Sequence, residues 1–410
     1  MNKKFLNLIL ALLMYLPTCI YVSLNLYFVL FALVIYLNFD FLKHYFTNLF
    51  KLKVIDKNFT FILVFSFLAL LYRLIDYQSW ESINDIYSFA YLFPLTYIIA
   101  RTLDGRSDVF KYIIYLMLIE FAFSILEYFL GVSTIFSTHE NYRVFETYDL
   151  MYFTRVYGLS SNSSLLSFKY IFGLIFLNLI DIPKWRKVIF EFLLLVGSVL
   201  TFGRIALIVV FFYLFLRLID ELIRSKRLDK LKQLPFLLIL LFFTVSPQWT
   251  LRQFTRNNIQ VTHDRIDDNQ NNNLRTENNT LNTDKKSLST PDLTKMIGVD
   301  KIDMSGRNEI WNNFLNFTGK NIHFGNFGKK LMIGKYHAHN SFIELIASYG
   351  IYMFLFMMFI IFRKVTFTNY VFIFSLGLLA MGQYLVFWGV SLFDILFYYL
   401  IFFYKKDENK

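Results

Sequence analysis

Apolar residues in this chain fall into long blocks separated by short polar stretches. The blocks approach the roughly 20 residues a helix needs to cross a hydrocarbon core of about 30 Å. Backbone groups in hydrocarbon must be bonded within their own segment, so each block predicts a helix. Twelve spans are expected, near residues 5–20, 22–41, 59–75, 86–100, 112–130, 165–180, 188–203, 205–219, 234–249, 340–362, 369–387 and 389–404. The seventh and eighth form one apolar run pinched at Gly203-Arg204, and a similarly tight turn joins the last two. Short, tilted or re-entrant helices are expected at both places.

The same pattern divides the chain into residues 1–249 with nine spans, a large external loop at 250–339, and residues 340–410 with three spans and a tail. A second external segment covers about 131–164. Residues 269–290 are Asn, Thr, Asp, Lys and Ser with almost nothing apolar, too little to bury, so flexibility is expected there. Ser305 can then cap a helix starting at Gly306 or Arg307, with Ile310, Trp311, Phe314 and Leu315 at helical spacing. This predicts an amphipathic helix suited to the membrane surface. No internal repeat is seen, which weighs against an inverted-repeat transporter.

Composition agrees with the pattern: of 410 residues, 56% are hydrophobic and 17% charged, below the quarter or so that soluble domains devote to charge. The expected fold class is all-α, a polytopic membrane helix bundle of about 12 transmembrane helices with one large external loop. A net charge of +11 is compatible with nucleic acid, but the cations lie beside the apolar runs, so no nucleic-acid partner is expected. The single cysteine, Cys19, excludes an intramolecular disulfide and a cysteine metal cluster. Lys3 and Lys4 before an apolar run imitate a signal peptide, yet no small-residue cleavage site follows, so a retained first span is expected.

Sidedness follows from lysine and arginine. With the N-terminus inside, Lys43, Lys51, Lys53 and Lys57 share one cytoplasmic loop, and Arg101, Arg106 and Lys111 the next. Lys184, Arg186 and Lys187, the 224–232 cluster, Arg363 with Lys364, and Lys405, Lys406 and Lys410 all fall on that side. Both termini are therefore expected in the cytoplasm.

Three motifs place polar residues where apolar ones would be cheaper. Thr201-Phe202-Gly203-Arg204 sets Arg204 between two apolar helices, where it snorkels or meets an anion. Ser305 to Trp311 sets Arg307 on the first turn of the surface helix, where a merely solvated cation is the ordinary alternative. Tyr336-His337-Ala338-His339-Asn340-Ser341-Phe342 precedes the tenth span. His339 there is a candidate general base, being neutral near pH 7. His337 and His339 as metal ligands form a weak signal without a carboxylate or cysteine cluster, and an interfacial histidine pair is the plain alternative. Arginine forks suit a phosphate anion and the charge growing on a departing diphosphate, while a histidine takes the proton of an attacking hydroxyl. No Walker loop or Gly-rich dinucleotide turn appears, against a nucleotide-driven enzyme or pump.

In these motifs the chain resembles the bacterial O-antigen polymerases and O-antigen ligases, the Wzy and WaaL type, with the likeness of architecture covering nearly its whole length. Gly203 stands where serine is common in that family, and Glu344 lies inside the helix where a neutral residue is more usual. Gly350 matches the glycine carried by the helix after His-Asn. The resemblance implies a GT-C-like glycosyltransferase of the bacterial inner membrane, without metal or cofactor. It would act at the outer leaflet on undecaprenyl diphosphate-linked oligosaccharide, as donor and acceptor. Carried over, Arg204 and Arg307 bind the diphosphate and His339 activates the acceptor hydroxyl, with Asn340, His337 and Trp311 in support. A chain-length regulator is the implied protein partner. Richness in Phe and Tyr and idiosyncrasy outside the motifs favour a polymerase of O-antigen or capsule repeat units. A ligase transferring glycan to lipid A core stays open. So does a lipid-linked sugar transporter or flippase, for which Glu120, Glu127 and Asp394 are the ionisable residues within spans. The usual motifs of a cell-division type peptidoglycan polymerase are not found.

Overall fold

The computed structural model describes residues 2–19, 22–23, 25–51, 53, 55–76, 92–130, 156–161, 163–201, 203–225, 307–334, 337–383, 385–387 and 389–404, with the backbone alone at 204, 224–225 and 307–309. The expected ninth span at 234–249, the Asn-rich run at 269–290, the capping Ser305 and most of the 131–164 segment lie outside them. Among the described residues the chain is all-helical, with thirteen α-helices. In order these are α1 (Lys3–Tyr15), α2 (Leu26–Leu37), α3 (Phe39–Leu49), α4 (Lys57–Ile75), α5 (Leu92–Thr102), α6 (Ser107–Leu130) and α7 (Ser163–Phe176). Then come α8 (Lys184–Leu200), α9 (Arg204–Ser225), α10 (Arg307–Lys320), α11 (Ser341–Phe362), α12 (Tyr370–Gly382) and α13 (Leu392–Phe402).

Among the described residues three helices are long and apolar enough to cross a membrane: α4, α6 and α11, of 19, 24 and 22 residues. The pair α2 and α3, bent by 68° at Asn38, passes as a fourth only if taken together. Every other expected span within the described residues coincides with a helix, but a shorter or more charged one. α1, α7, α12 and α13 have 11 to 14 residues, against the roughly 20 of a straight crossing, while residues 86–91 of the fourth expected span lie outside the described residues. α9 has 22 residues but carries Arg217, Asp220 and Glu221 near its end. Large apolar side chains face outward along these helices, among them Phe28, Phe67, Phe129, Phe192 and Phe359. That outer surface suits hydrocarbon rather than water.

One apolar core joins most of the helices. α1 packs on α6, α7 on α8, α5 on α13, α9 on α12, and α4 on both α5 and α11. A second, small core holds Phe314, Leu331, Ala338 and Ala347, with Ile310, Phe317, Ile333 and Ile343 against it. The apolar stripe of α10 is partly covered by protein, with Ile310, Phe314 and Phe317 packed beside Leu331, Ala338 and Ala347.

α11 is two helices merged across Gly350, whose φ of 78° and ψ of 175° break the spiral. The turn after α10 fills the gap: Asn326 N–H donates to the Ala347 carbonyl at 2.8 Å, Gly328 N–H to Ser348 at 2.7 Å, and Ile351 N–H to Ile322 at 2.8 Å. Backbone groups freed by the break thus find partners inside the protein, as non-helical backbone at membrane depth requires. A Cβ at Gly350 would collide with the His323 carbonyl, and positive φ adds strain for any L side chain. Gly350→Ala is expected to destabilise the protein by about 1–3 kcal/mol, read as a lower melting midpoint in detergent. Gly377→Ala, with nothing within 4 Å of the new methyl, is expected to be neutral or slightly stabilising.

Candidate functional site

The tenth expected span starts where sequence reasoning put it, and its first turn is tightly organised. Asn340 caps α11, its Oδ1 accepting from the N–H of Phe342 at 2.9 Å and of Ile343 at 3.0 Å. Asn340 is buried, so the interaction is shielded from water. His339 precedes it with φ of 50°, a left-handed conformation uncommon outside glycine. The peptide at Ala338 is held from both sides: its N–H donates to Glu344 Oε2 at 3.0 Å and its carbonyl accepts from Trp311 Nε1 at 2.7 Å. Glu344, the acidic residue unexpected in this helix, therefore reaches back to the strand carrying the histidines. Trp311 ties α10 to the same strand.

His337 and His339 face one another with ring centroids 4.0 Å apart. Burial, then the neighbouring His339 and the charge on Lys330, push His337 down from 6.5 to about 4. It is accordingly neutral at physiological pH.

A second irregular stretch, described at 383, 385–387 and 389–391, lies against this first turn. Ser341 Oγ donates to the Gln383 carbonyl at 3.0 Å and accepts from the N–H of Leu385 at 2.9 Å and Val386 at 3.2 Å. Asp394 caps the far side, accepting from Phe387 N–H at 2.6 Å and from Ser391 Oγ at 2.9 Å. α12 and α13 are shorter than expected because Ser341 and Asp394 satisfy this non-helical backbone.

The start of α9 belongs to the same end. A Cβ placed on Gly382 would lie 2.7 Å from Ile205 Cδ1, so the residue after Arg204 touches the last residue of α12. The chain of contact runs from Ile205 through Gly382 and Gln383 to Ser341, then from Ala338 to Trp311. Arg204 is the first residue of α9 and Arg307 the first of α10, one turn before Trp311. The backbone thus brings the starts of α9, α10 and α11 to one end of the bundle. Among the described residues no group of three or more His, Cys, Asp or Glu could hold a metal ion.

Glu120 and Glu127, noted as ionisable residues within a span, serve backbone too. Glu127 Oε2 accepts from Tyr157 and Gly158 N–H, both at 2.8 Å. Glu120 accepts from Leu159 N–H at 3.1 Å, Ser160 Oγ at 2.6 Å and the Tyr15 hydroxyl. Its counter-charge is Lys169, 2.8 Å away and likewise fully buried. Sequence reasoning missed Lys169, although a lysine between Phe168 and Tyr170 in an apolar run was a visible signal. This pair fixes the strand entering α7.

Compared with protein-family models, curated proteins and solved structures, the chain finds no match.

Two predictions follow from these buried groups. Lys169→Met leaves the Glu120 charge uncompensated and is expected to cost on the order of 3–5 kcal/mol. The double variant Glu120→Gln, Lys169→Met is expected to recover part of that loss, measured by thermal unfolding of the purified protein. For His337, the folded value lies below the unfolded one, so the unfolded chain binds its proton first as pH falls. Its contribution is complete above about pH 6.5 and is lost as pH falls toward about 4. His337→Gln is expected to flatten the melting midpoint over that window.

Proposed function

We propose that this chain is a polysaccharide polymerase of the inner membrane, a metal-independent glycosyltransferase. It joins one undecaprenyl diphosphate-linked repeat unit to another at the outer leaflet. The observation that carries this reading is the meeting of three helix starts: Arg204 opens α9, Arg307 opens α10, and His339 stands just before α11. Helix N-termini already favour anions through unpaired N–H groups and the positive end of the dipole. Arginine at two such starts adds forks that match phosphate oxygens.

In the proposed reaction the imidazole of His339 takes the proton of an acceptor sugar hydroxyl. The hydroxyl oxygen forms a bond to the anomeric carbon of the donor as the bond from that carbon to the diphosphate oxygen breaks. The electron pair leaves with the lipid diphosphate, and Arg204 and Arg307 stabilise the charge it gains. Asn340 and Trp311 fix the backbone on either side of His339. His337, uncharged at neutral pH, adds no cation beside the base.

The topology goes with this reading: twelve spans in a GT-C-like bundle, both termini in the cytoplasm and the 250–339 loop outside. It is supported by lysines and arginines from three sequence-distant loops, Lys57, Arg101, Arg363 and Lys364, gathering around one cleft. They stand at the far end of α4, α5 and α11 from His339, as positive-inside sorting requires. Transport through midplane carboxylates has less support, since Glu120, Glu127 and Asp394 are engaged with backbone N–H groups.

Arg204→Ala, Arg307→Ala and His339→Ala, each at normal membrane level, test the proposal by gel analysis of surface glycan. Loss of the general base is expected to lower polymerisation by about 10²–10⁴-fold, leaving single repeat units on the surface. Long chains retained on the lipid carrier would instead assign the ligase reaction. Normal long-chain glycan in all three variants would remove the catalytic assignment.

A further inference from the structure

A cleft of about 610 Å³ opens at the other end of the bundle, where α4 begins and α5 and α11 end. The two arms of α11, on either side of Gly350, separate it from His339. Its lining includes Lys57, Arg101, Arg363, Lys364 and His44, with Asp56 as the sole acidic residue. Four side chains that are cationic at neutral pH therefore face one carboxylate, and that carboxylate is already occupied. Asp56 Oδ1 caps α4 through Asn58 N–H at 3.0 Å and Phe59 N–H at 3.1 Å. Its Oδ2 accepts from the Tyr97 hydroxyl at 2.9 Å and stands 3.6 Å from Arg101.

Both guanidinium groups are held in place before any ligand arrives. Arg363 donates to Asn58 Oδ1 at 2.7 Å and its Cζ lies 4.4 Å from the centre of the Phe61 ring. Arg101 lies 3.8 Å over the Phe41 ring. Stacking on a ring and a fixed hydrogen bond reduce the freedom lost when an anion binds. Lys57 is the first residue of α4, directly after the Asp56 cap. Retention of positive charge on one side of a membrane explains cations in each loop. It does not require loops from three helices to wall a single cleft around an engaged carboxylate.

We propose that this cleft binds a phosphate ester the size of a lipid headgroup, at a site separate from the three helix starts. The volume falls within the roughly 300–1,000 Å³ of small-molecule pockets and exceeds what a bare inorganic ion fills. Two sources present the same chemistry, the headgroup of an anionic phospholipid in the adjoining leaflet and a soluble phosphate ester.

Native mass spectrometry of the detergent-solubilised full chain separates them, with phosphatidylglycerol, phosphatidylcholine of the same acyl chains, and glycerol 3-phosphate as probes. Preferential retention of phosphatidylglycerol is expected. Absence of glycerol 3-phosphate binding then assigns the site to lipid, and its presence extends it to soluble esters. Lys57→Gln, Lys364→Gln is expected to weaken phosphatidylglycerol retention about a hundredfold, the loss of two charge-assisted contacts. Lys57→Arg, Lys364→Arg is expected to preserve it, with melting midpoint and glycan length unchanged in both. Raising the ionic strength to about 1 M, where the screening length is about 3 Å, is expected to abolish the preference without any substitution. Equal retention of the two lipids with no glycerol 3-phosphate bound would overturn the proposal. So would a salt-independent preference, or a glutamine variant that binds as the native chain does.

Discussion

Backbone groups that leave a helix inside an apolar bundle need a partner from the protein, because hydrocarbon supplies none. Among the described residues three irregular segments interrupt the helices, and each is answered by its own set of buried groups. Glu120 and Glu127 take the N–H groups of 157–159. The turn at 322–328 fills the break at Gly350. Ser341 and Asp394 hold 385–387. A carboxylate bonded to two or three N–H groups is stable where an unpaired one would cost several kcal/mol. This satisfaction of backbone lets short helices start and stop within the fold rather than cross it straight.

The candidate site depends on that arrangement. Its residues stand at helix starts, and helix starts can meet only where the intervening backbone is free to be irregular. Ser341 illustrates the economy of the design: one hydroxyl sits on the first turn of α11 and fixes the segment following α12, whose last residue contacts Ile205. Ala338, bonded to both Glu344 and Trp311, sets His339 in a left-handed conformation with little freedom. Such held strain is suited to a residue that must meet a substrate in one orientation.

Much of the helical frame was legible in the sequence, since apolar blocks and flanking cations mark where helices begin and end. The helix starting at Arg307 appears at its expected register, whereas the cap at Asn340 and the break at Gly350 emerge only in the structure. Lengths were less legible. Residues 385–387 sit in an apolar run that reads as helix, and the pairing of Ser341 with Leu385 and Val386, far away in sequence, shows that they are not. Apolar content likewise could not say whether α10 lay on lipid or on protein, because Ile310 and Phe314 suit either surface. Lys169 was visible as a cation in an apolar run, but its role was not, because its counter-charge Glu120 lies 49 positions earlier.

In the proposed reaction a diphosphate is held between the starts of α9 and α10, with the imidazole of His339 opening on the same space. A cryo-electron microscopy structure with a bound polyprenyl diphosphate tests that arrangement most directly. It is predicted to show phosphate oxygens about 2.7–2.9 Å from guanidinium nitrogens of both Arg204 and Arg307, with His339 bordering the same cavity. Arginines lining separate cavities, or a diphosphate seated away from both, would contradict it.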